Sequence, residues 1–189
     1  MEIFADIFFL VDSGIAQGQF SQFKTELNKL INQLNVRAST YRIGLAQYGQ
    51  NTEVEFHLNA FQTKQETLAG VKRFRLHPPQ PNEPRYLGNA LKYARTNFFT
   101  SEAGGRAEKG FRQFLVVVSG EASRDRVSTV ASEIKLSGVT VIGMSAGAPM
   151  NEIRLLSDQY VFDSVRVTLL KDIFMTEKQE VITKGEKVL

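Results

Sequence analysis

Few side chains in this sequence can do chemistry, and their positions limit what that chemistry is. Cysteine is absent, and His57 and His77 are the two histidines. Disulfides, thiol nucleophiles and Cys-based zinc sites are therefore excluded, and Ser13 and Ser119 have no evident base to activate a hydroxyl. Carboxylates follow two apolar runs, Asp12 in Asp12-Ser13-Gly14 and Glu121 in Ser119-Gly120-Glu121. A lone carboxylate at a strand end is held by backbone N–H donors or by a cation. Positive charge gathers in two places, at Lys72, Arg73, Arg75 and His77, and at Arg106, Lys109 and Arg112. Either cluster could hold a heparin-like sulfated chain through salt-sensitive ionic contacts; the duller reading, a solvated face, is favoured. Nucleic acid is the weaker candidate, because no recognition motif accompanies the charge. The turn Gly143-Met144-Ser145-Ala146-Gly147 lacks the spacing of a dinucleotide fingerprint, so no cofactor is expected.

These residues need a frame to hold them. Residues 7–11 and 114–118 are continuous apolar runs, as in strands buried on both faces. Phe20, Phe23, Leu27, Leu30, Ile31 and Leu34 recur at helical spacing. Strands are predicted over 41–48 and 52–58, joined by the turn Gly49-Gln50-Asn51, then a helix over 63–71. Four of the five prolines lie in 78–84, which must be loop. A helix follows over 87–98, another around 127–134, a strand over 139–144, a short helix over 152–158, a short strand over 160–163 and a last helix around 169–174. This alternation predicts an α/β, doubly wound sheet of six strands, five parallel and one antiparallel at an edge, with helices on both faces. Ligands of such sheets bind at the carboxyl ends of the strands, which singles out residues 12–16, 84–88 and 119–123.

The chain of 189 residues suits one domain, predicted over 1–175, with a polar tail or interdomain linker over 176–189. Its apolar share of 42% and charged share of 23% are those of a folded globular chain, not a disordered one. No run approaches the roughly 20 apolar residues of a membrane span. Met1 and Glu2 lead into a strand pattern without a secretory leader, as expected of a domain cut from a longer chain. The net charge of +3 permits contact with polyanions without arguing for it.

Five segments resemble von Willebrand factor type A domains, in the right order over about residues 5–175: Asp6-Ile7-Phe8-Phe9-Leu10-Val11-Asp12-Ser13, Tyr41-Arg42-Ile43-Gly44-Leu45-Ala46-Gln47-Tyr48, Leu87-Gly88-Asn89-Ala90-Leu91, Phe114-Leu115-Val116-Val117-Val118-Ser119-Gly120 and Gly138-Val139-Thr140-Val141-Ile142-Gly143. Most such domains carry a metal-ion-dependent adhesion site with the pattern Asp-x-Ser-x-Ser, a Thr before the third helix and an Asp after the fourth strand. Asp12 matches the first ligand, while Gly14 and Ala16 stand where the serines belong. The Thr position falls on Arg85 and the second Asp position on Gly120. A hard divalent ion wants octahedral oxygen ligands, so with one of five left no metal is expected. Replacement of the lost carboxylate by Glu121, one residue along, is disfavoured because such a site tolerates little displacement.

Ser119-Gly120-Glu121 and Gly110-Phe111-Arg112-Gln113-Phe114 further resemble the repeated A domains of collagen VI, in particular the amino-terminal array of its alpha-3 chain. The resemblance implies a secreted, non-catalytic extracellular matrix module that takes part in microfibril assembly and contacts matrix proteins or neighbouring A domains, without nucleic acid or membrane insertion. Asp12 is expected to act as an ion-pair partner more than as a remnant ligand. Arg85 either lies over the vacant site and pairs with it, or points to solvent. Two competing classes are a metal-dependent adhesion domain for an acidic ligand and, further behind, an α/β enzyme using Asp12, Arg85 and Glu121.

Overall fold

In a computed structural model of the chain, residues 4–175 are described. The predicted polar tail at 176–189 lies outside them. β1 (Ala5–Asp12) is buried at every position, and its period-2 alternation feeds two cores. Ile7, Phe9 and Val11 face one core and Phe8 and Leu10 the other. β1 pairs in parallel with β2 (Arg42–Tyr48) on one side and β4 (Arg112–Ser119) on the other. β4 pairs in parallel with β5 (Val139–Ser145), and β5 with the two-residue β6 (Val161–Phe162). β3 (Thr52–Phe56) is antiparallel to β2 across the turn and closes the order β3-β2-β1-β4-β5-β6. The six-stranded sheet with one antiparallel edge strand is thus as the alternation predicts. β3 stops at Phe56, short of the predicted Leu58, because residues 57–60 turn, with Ala60 N–H donating to the His57 carbonyl.

α1 (Gln17–Gln33) and α2 (Lys64–Arg73) cover the first core, and residues 170–175 add a helical turn there through Leu170 and Phe174. α2 opens on a capping box in which the Thr63 hydroxyl accepts from Glu66 N–H and the Glu66 carboxylate answers on Thr63 N–H. α3 (Leu87–Asn97), α4 (Ser128–Leu136) and α5 (Met150–Leu156) cover the second core. Phe8 stacks on Phe98 with ring centroids 3.8 Å apart, and Gly44 of β2 makes room, since a Cβ there would lie 2.4 Å from the Phe8 ring. No helix among the described residues is long and apolar enough to cross a membrane.

At the lower end of the sheet the second basic cluster dissolves. Arg106 was expected as a surface residue for polyanions, but it is buried, with 4% of its side chain exposed. Its guanidinium reaches Asp6 at 2.7 Å and also donates to the Ala5 and Thr40 carbonyls. A buried carboxylate claims a cation within reach, and the loop before β4 delivers this one. Arg112 is half-buried, lies over the Phe114 ring and donates to the Phe174 carbonyl, which leaves Lys109 as the exposed member of the three.

Candidate functional site

The carboxyl ends of β1 and β4 meet the loops before α1, α3 and α4, which brings residues 12–16, 84–88 and 119–123 together. Asp12 closes β1 and is fully buried. The chain turns at once, so Gly14 N–H donates to Asp12 Oδ1 at 2.8 Å. Gly120 N–H, at the end of β4, donates to Oδ2 at 3.1 Å. Arg85 Nε donates to Oδ1 at 2.9 Å, with 10% of the Arg85 side chain exposed. Both oxygens are therefore occupied by two peptide groups and a guanidinium.

Arg85 is held from several directions. Its NH1 group donates to the Glu83 carbonyl at 2.9 Å and lies 3.2 Å from the Glu121 carboxylate. Its own carbonyl accepts from Arg124 N–H at 2.8 Å. The other terminal nitrogen, NH2, sits over Gly14, where an added Cβ would lie 1.7 Å away. A glycine at 14 is thus the seat of the guanidinium as well as a missing hydroxyl. Glu121 faces Arg85 rather than Asp12's other oxygen, and 62% of its side chain is exposed. Ala16 is exposed at the start of α1 and caps it without a side-chain hydrogen bond.

These residues do not fit a divalent cation. Positions 14 and 16 carry no hydroxyl, position 120 offers an N–H, and a guanidinium fills the approach to Asp12. Hard cations need several oxygen ligands at once. Among the described residues no group of three or more His, Asp or Glu side chains could hold a metal.

Behind Arg85 lies a polar cluster that the sequence reading missed. The N-terminus of α3 lacks a cap from its own Tyr86, and the α4 loop supplies one. Asp125 accepts from Gly88 N–H at 2.8 Å and Asn89 N–H at 2.7 Å, while the Ser123 hydroxyl accepts from Leu87 N–H at 3.0 Å. A carboxylate suits the positive end of a helix. Glu152 of α5 accepts from Ser123 N–H at 3.0 Å. Burial pushes the Glu152 carboxyl above its usual range; the Ser123 N–H opposes this and the Asp125 charge adds to it. Burial, then the Asp12 charge, pushes the Tyr48 phenol well up. No local pattern announces this cap, because Asp125 stands 37 residues beyond Gly88.

The first basic cluster stays on the surface, with Lys72, Arg73, Arg75 and His77 exposed and Phe74 packed inward, edge-on to Phe20. Lys24 of α1 joins it by donating to the Lys72 and Phe74 carbonyls. Burial, with the Arg75 charge, lowers the Lys24 pKa. His77 Nδ1 lies 2.6 Å from the Glu53 carboxylate.

Comparison with known proteins agrees with this architecture. The family model for the von Willebrand factor type A domain matches residues 6–175. The human collagen alpha-5(VI) chain is 29% identical over 187 residues, a match covering 90% of this chain and 7% of the collagen. The mouse collagen alpha-6(VI) chain is 30% identical over 183 residues, covering 95% of this chain and 8% of the collagen. Chicken matrilin-3 is 27% identical over 166 residues, covering 83% of this chain and 36% of the matrilin. This chain therefore spans a small part of its relatives' lengths. Among solved structures, proximal thread matrix protein 1 from the mussel byssus, with a zinc-occupied adhesion motif, superposes with a TM-score of 0.80. That match, at 20% identity, covers 92% of this chain and 47% of the mussel protein and speaks for the fold.

Proposed function

The chain belongs to the von Willebrand factor type A domain family, and from that premise we propose that it is a non-catalytic interaction module of an extracellular matrix chain, working without a metal ion. Support for the matrix setting comes from the relatives, which are collagen chains and a matrilin. The metal-free reading rests on one observation: Arg85 Nε, Gly14 N–H and Gly120 N–H together occupy both oxygens of Asp12. A guanidinium supplies at this point the positive charge that an ion would supply. In this reading the module contributes to microfibril assembly by contacting neighbouring A domains and other matrix proteins.

Thermal melting of the chain in millimolar magnesium or manganese, against chelator, tests this reading. A ligand that binds the folded state raises the melting temperature by mass action. The expected shift is zero, and a metal-dependent rise that Asp12→Ala abolishes would overturn the reading.

Contact with heparin-like glycosaminoglycan is assigned to the exposed first cluster, Lys72, Arg73 and Arg75, with Lys24 beside it. Buried Arg106 takes no part. Binding to immobilised heparin should fall steeply with salt, and should fall further in Lys72→Gln with Arg73→Gln.

A further inference from the structure

The two outer edges of the sheet differ in charge and match in what their backbones leave open. Among the described residues, β2 is the one extensive neighbour of β3, and β5 that of β6, with a smaller share from α5. Ser13 N–H donates to the Tyr48 carbonyl at 2.8 Å, so the Tyr48 backbone turns toward β1, and that of Thr52, its partner on β3, turns outward. Alternation along the strand turns Val54 outward as well, opposite Ala46. At the other edge Gly143 N–H donates to the Tyr160 carbonyl at 2.9 Å, which directs the Tyr160 backbone inward and that of Val161 outward. The outward N–H and C=O groups of Val54 and Val161 have no partner among the described residues. Both side chains pack, half-buried, against the second core, so they stand on the same face of the sheet. Exposed Glu53 and Glu55 make the β3 edge acidic. β6 borders a crevice of about 500 Å³ in which exposed Arg154 and Arg166 flank Met150, Phe162 and Leu169, with one acid, Asp163, beside them.

We propose that the β6 edge of one copy of this chain receives the β3 edge of a second copy, so that the sheet continues from copy to copy in an open row. The proposal rests on the reading of the chain as a module that contacts neighbouring A domains, and it names the surface that does so. Antiparallel pairing of Val161 with Val54 of the second copy lets each N–H meet the other's carbonyl, with both side chains on one face. In that register Phe162 stands opposite Glu53 and Asp163 opposite uncharged Thr52. Arg166, which shares the crevice with Phe162, is then the cation that meets the Glu53 carboxylate. Because β3 runs against the central strands and β6 runs with them, this pairing leaves successive copies in the same orientation. Such a contact is heterologous, so it does not close at two copies. Charge selects it over the alternatives. Two β3 edges would set Glu53 and Glu55 against their own kind, and two β6 edges would do the same to Arg154 and Arg166. A two-residue strand offers few hydrogen bonds, so the contact is weak and works where copies are held close together.

Sedimentation of the whole chain at low salt, from micromolar to millimolar concentration, tests the proposal. The average mass should rise with concentration, and added salt should lower it. Arg166→Glu and Glu53→Lys should each weaken association by about tenfold or more, because each sets like charges against one another. An equimolar mixture of the two variants should associate as wild type does. In the mixture the two altered edges face each other with opposite charge, and so do the two unaltered ones. Both side chains are exposed, so the fold should persist, and circular dichroism checks that. Val161→Pro removes the outward N–H while sparing the ladder to β5, and should weaken association in a way that no charge swap restores. A wild-type chain that stays monomeric at millimolar concentration overturns the proposal. So do single charge reversals without effect, or a mixture that fails to recover. Chelator separates this failure from that of the metal-free reading. Association that needs magnesium and still follows the charge swap upholds the edge contact and overturns the metal-free reading. Absence of association, with no magnesium response of the melting temperature, overturns the edge contact alone.

Discussion

Asp6 near the start of β1 and Asp12 at its end are both fully buried, and each meets an arginine from a distant loop, Arg106 below and Arg85 above. Below, the pair is closed. Asp6 Oδ1 accepts from Arg106 Nε at 2.8 Å, while Oδ2 accepts from Arg106 N–H and Gln113 Nε2, each at 2.7 Å. The rest of that guanidinium donates to backbone carbonyls and lies 3.7 Å from the centroid of the Phe111 ring. Burial lowers the Arg106 pKa and Asp6 opposes that shift. Above, the carboxylate is equally saturated but the arginine is not: one nitrogen is free and another meets an exposed glutamate beside an open crevice. The same two residue types thus make a buried clamp in which each guanidinium nitrogen has a partner and, above, a more accessible cation. What separates the two pairs is how much of each arginine is left facing solvent: 4% of the Arg106 side chain against 10% of that of Arg85, which also lines an open crevice.

Breaking the lower pair should have the largest effect. Arg106→Ala leaves Asp6 as an uncompensated buried charge, and urea unfolding should show a loss of about 3 to 5 kcal/mol. Replacing both partners by apolar residues should restore part of that loss, since no charge is then stranded. A double replacement as damaging as the single one would contradict the clamp.

The upper pair should matter less. Arg85→Ala should destabilise by about 1 to 3 kcal/mol, the range for a buried group left without its partner. Asp12 keeps the Gly14 and Gly120 N–H groups, which softens the loss. Comparing Arg85→Ala, Asp12→Ala and the double change should reveal a coupling energy clearly above zero. Zero coupling would show that the proximity of Arg85 and Asp12 does no energetic work.

Gly14→Ser sharpens the contrast further. Its Cβ would collide with Arg85 NH2, the far end of a flexible side chain, so Arg85 should swing out rather than the backbone yield. The destabilisation by calorimetry should therefore not exceed that of Arg85→Ala. Because positions 16, 85 and 120 still lack ligands, magnesium should leave the variant's melting temperature unchanged.

The smallest effect concerns pH. The carboxyl of Glu152 is raised above its ordinary 4.5 in the folded chain, so between the unfolded and folded values the native state binds more protons than the unfolded one. Its contribution is therefore present below the unfolded value and is lost as pH rises through the folded value. Glu152→Gln should flatten that part of the stability profile just above pH 4.5, measured by urea midpoints across pH. An unchanged slope would mean that Glu152 is not the group responsible.

Particular residues show how much was legible beforehand. The apolar runs of β1 and β4 and the turn at Gly49-Gln50-Asn51 were enough to predict strand type, the antiparallel edge and the meeting of residues 12–16, 84–88 and 119–123. The family resemblance put Arg85 at the missing Thr position near the strand ends, but not the direction of its side chain. Arg106 was misread because its sequence neighbours Lys109 and Arg112 suggested a charged patch, while the carboxylate that buries it lies 100 residues away. The Asp125 cap on α3 was invisible for the same reason.

The sequence by itself determined which segments are buried, because hydrophobic period is a local property, and it determined that no hydroxyl stands at positions 14 and 16. Only the tertiary structure decided what each charge does. A charge takes its role from the partners and the water within a few ångströms, and for Asp6, Asp12, Arg85 and Arg106 those partners arrive from distant parts of the chain.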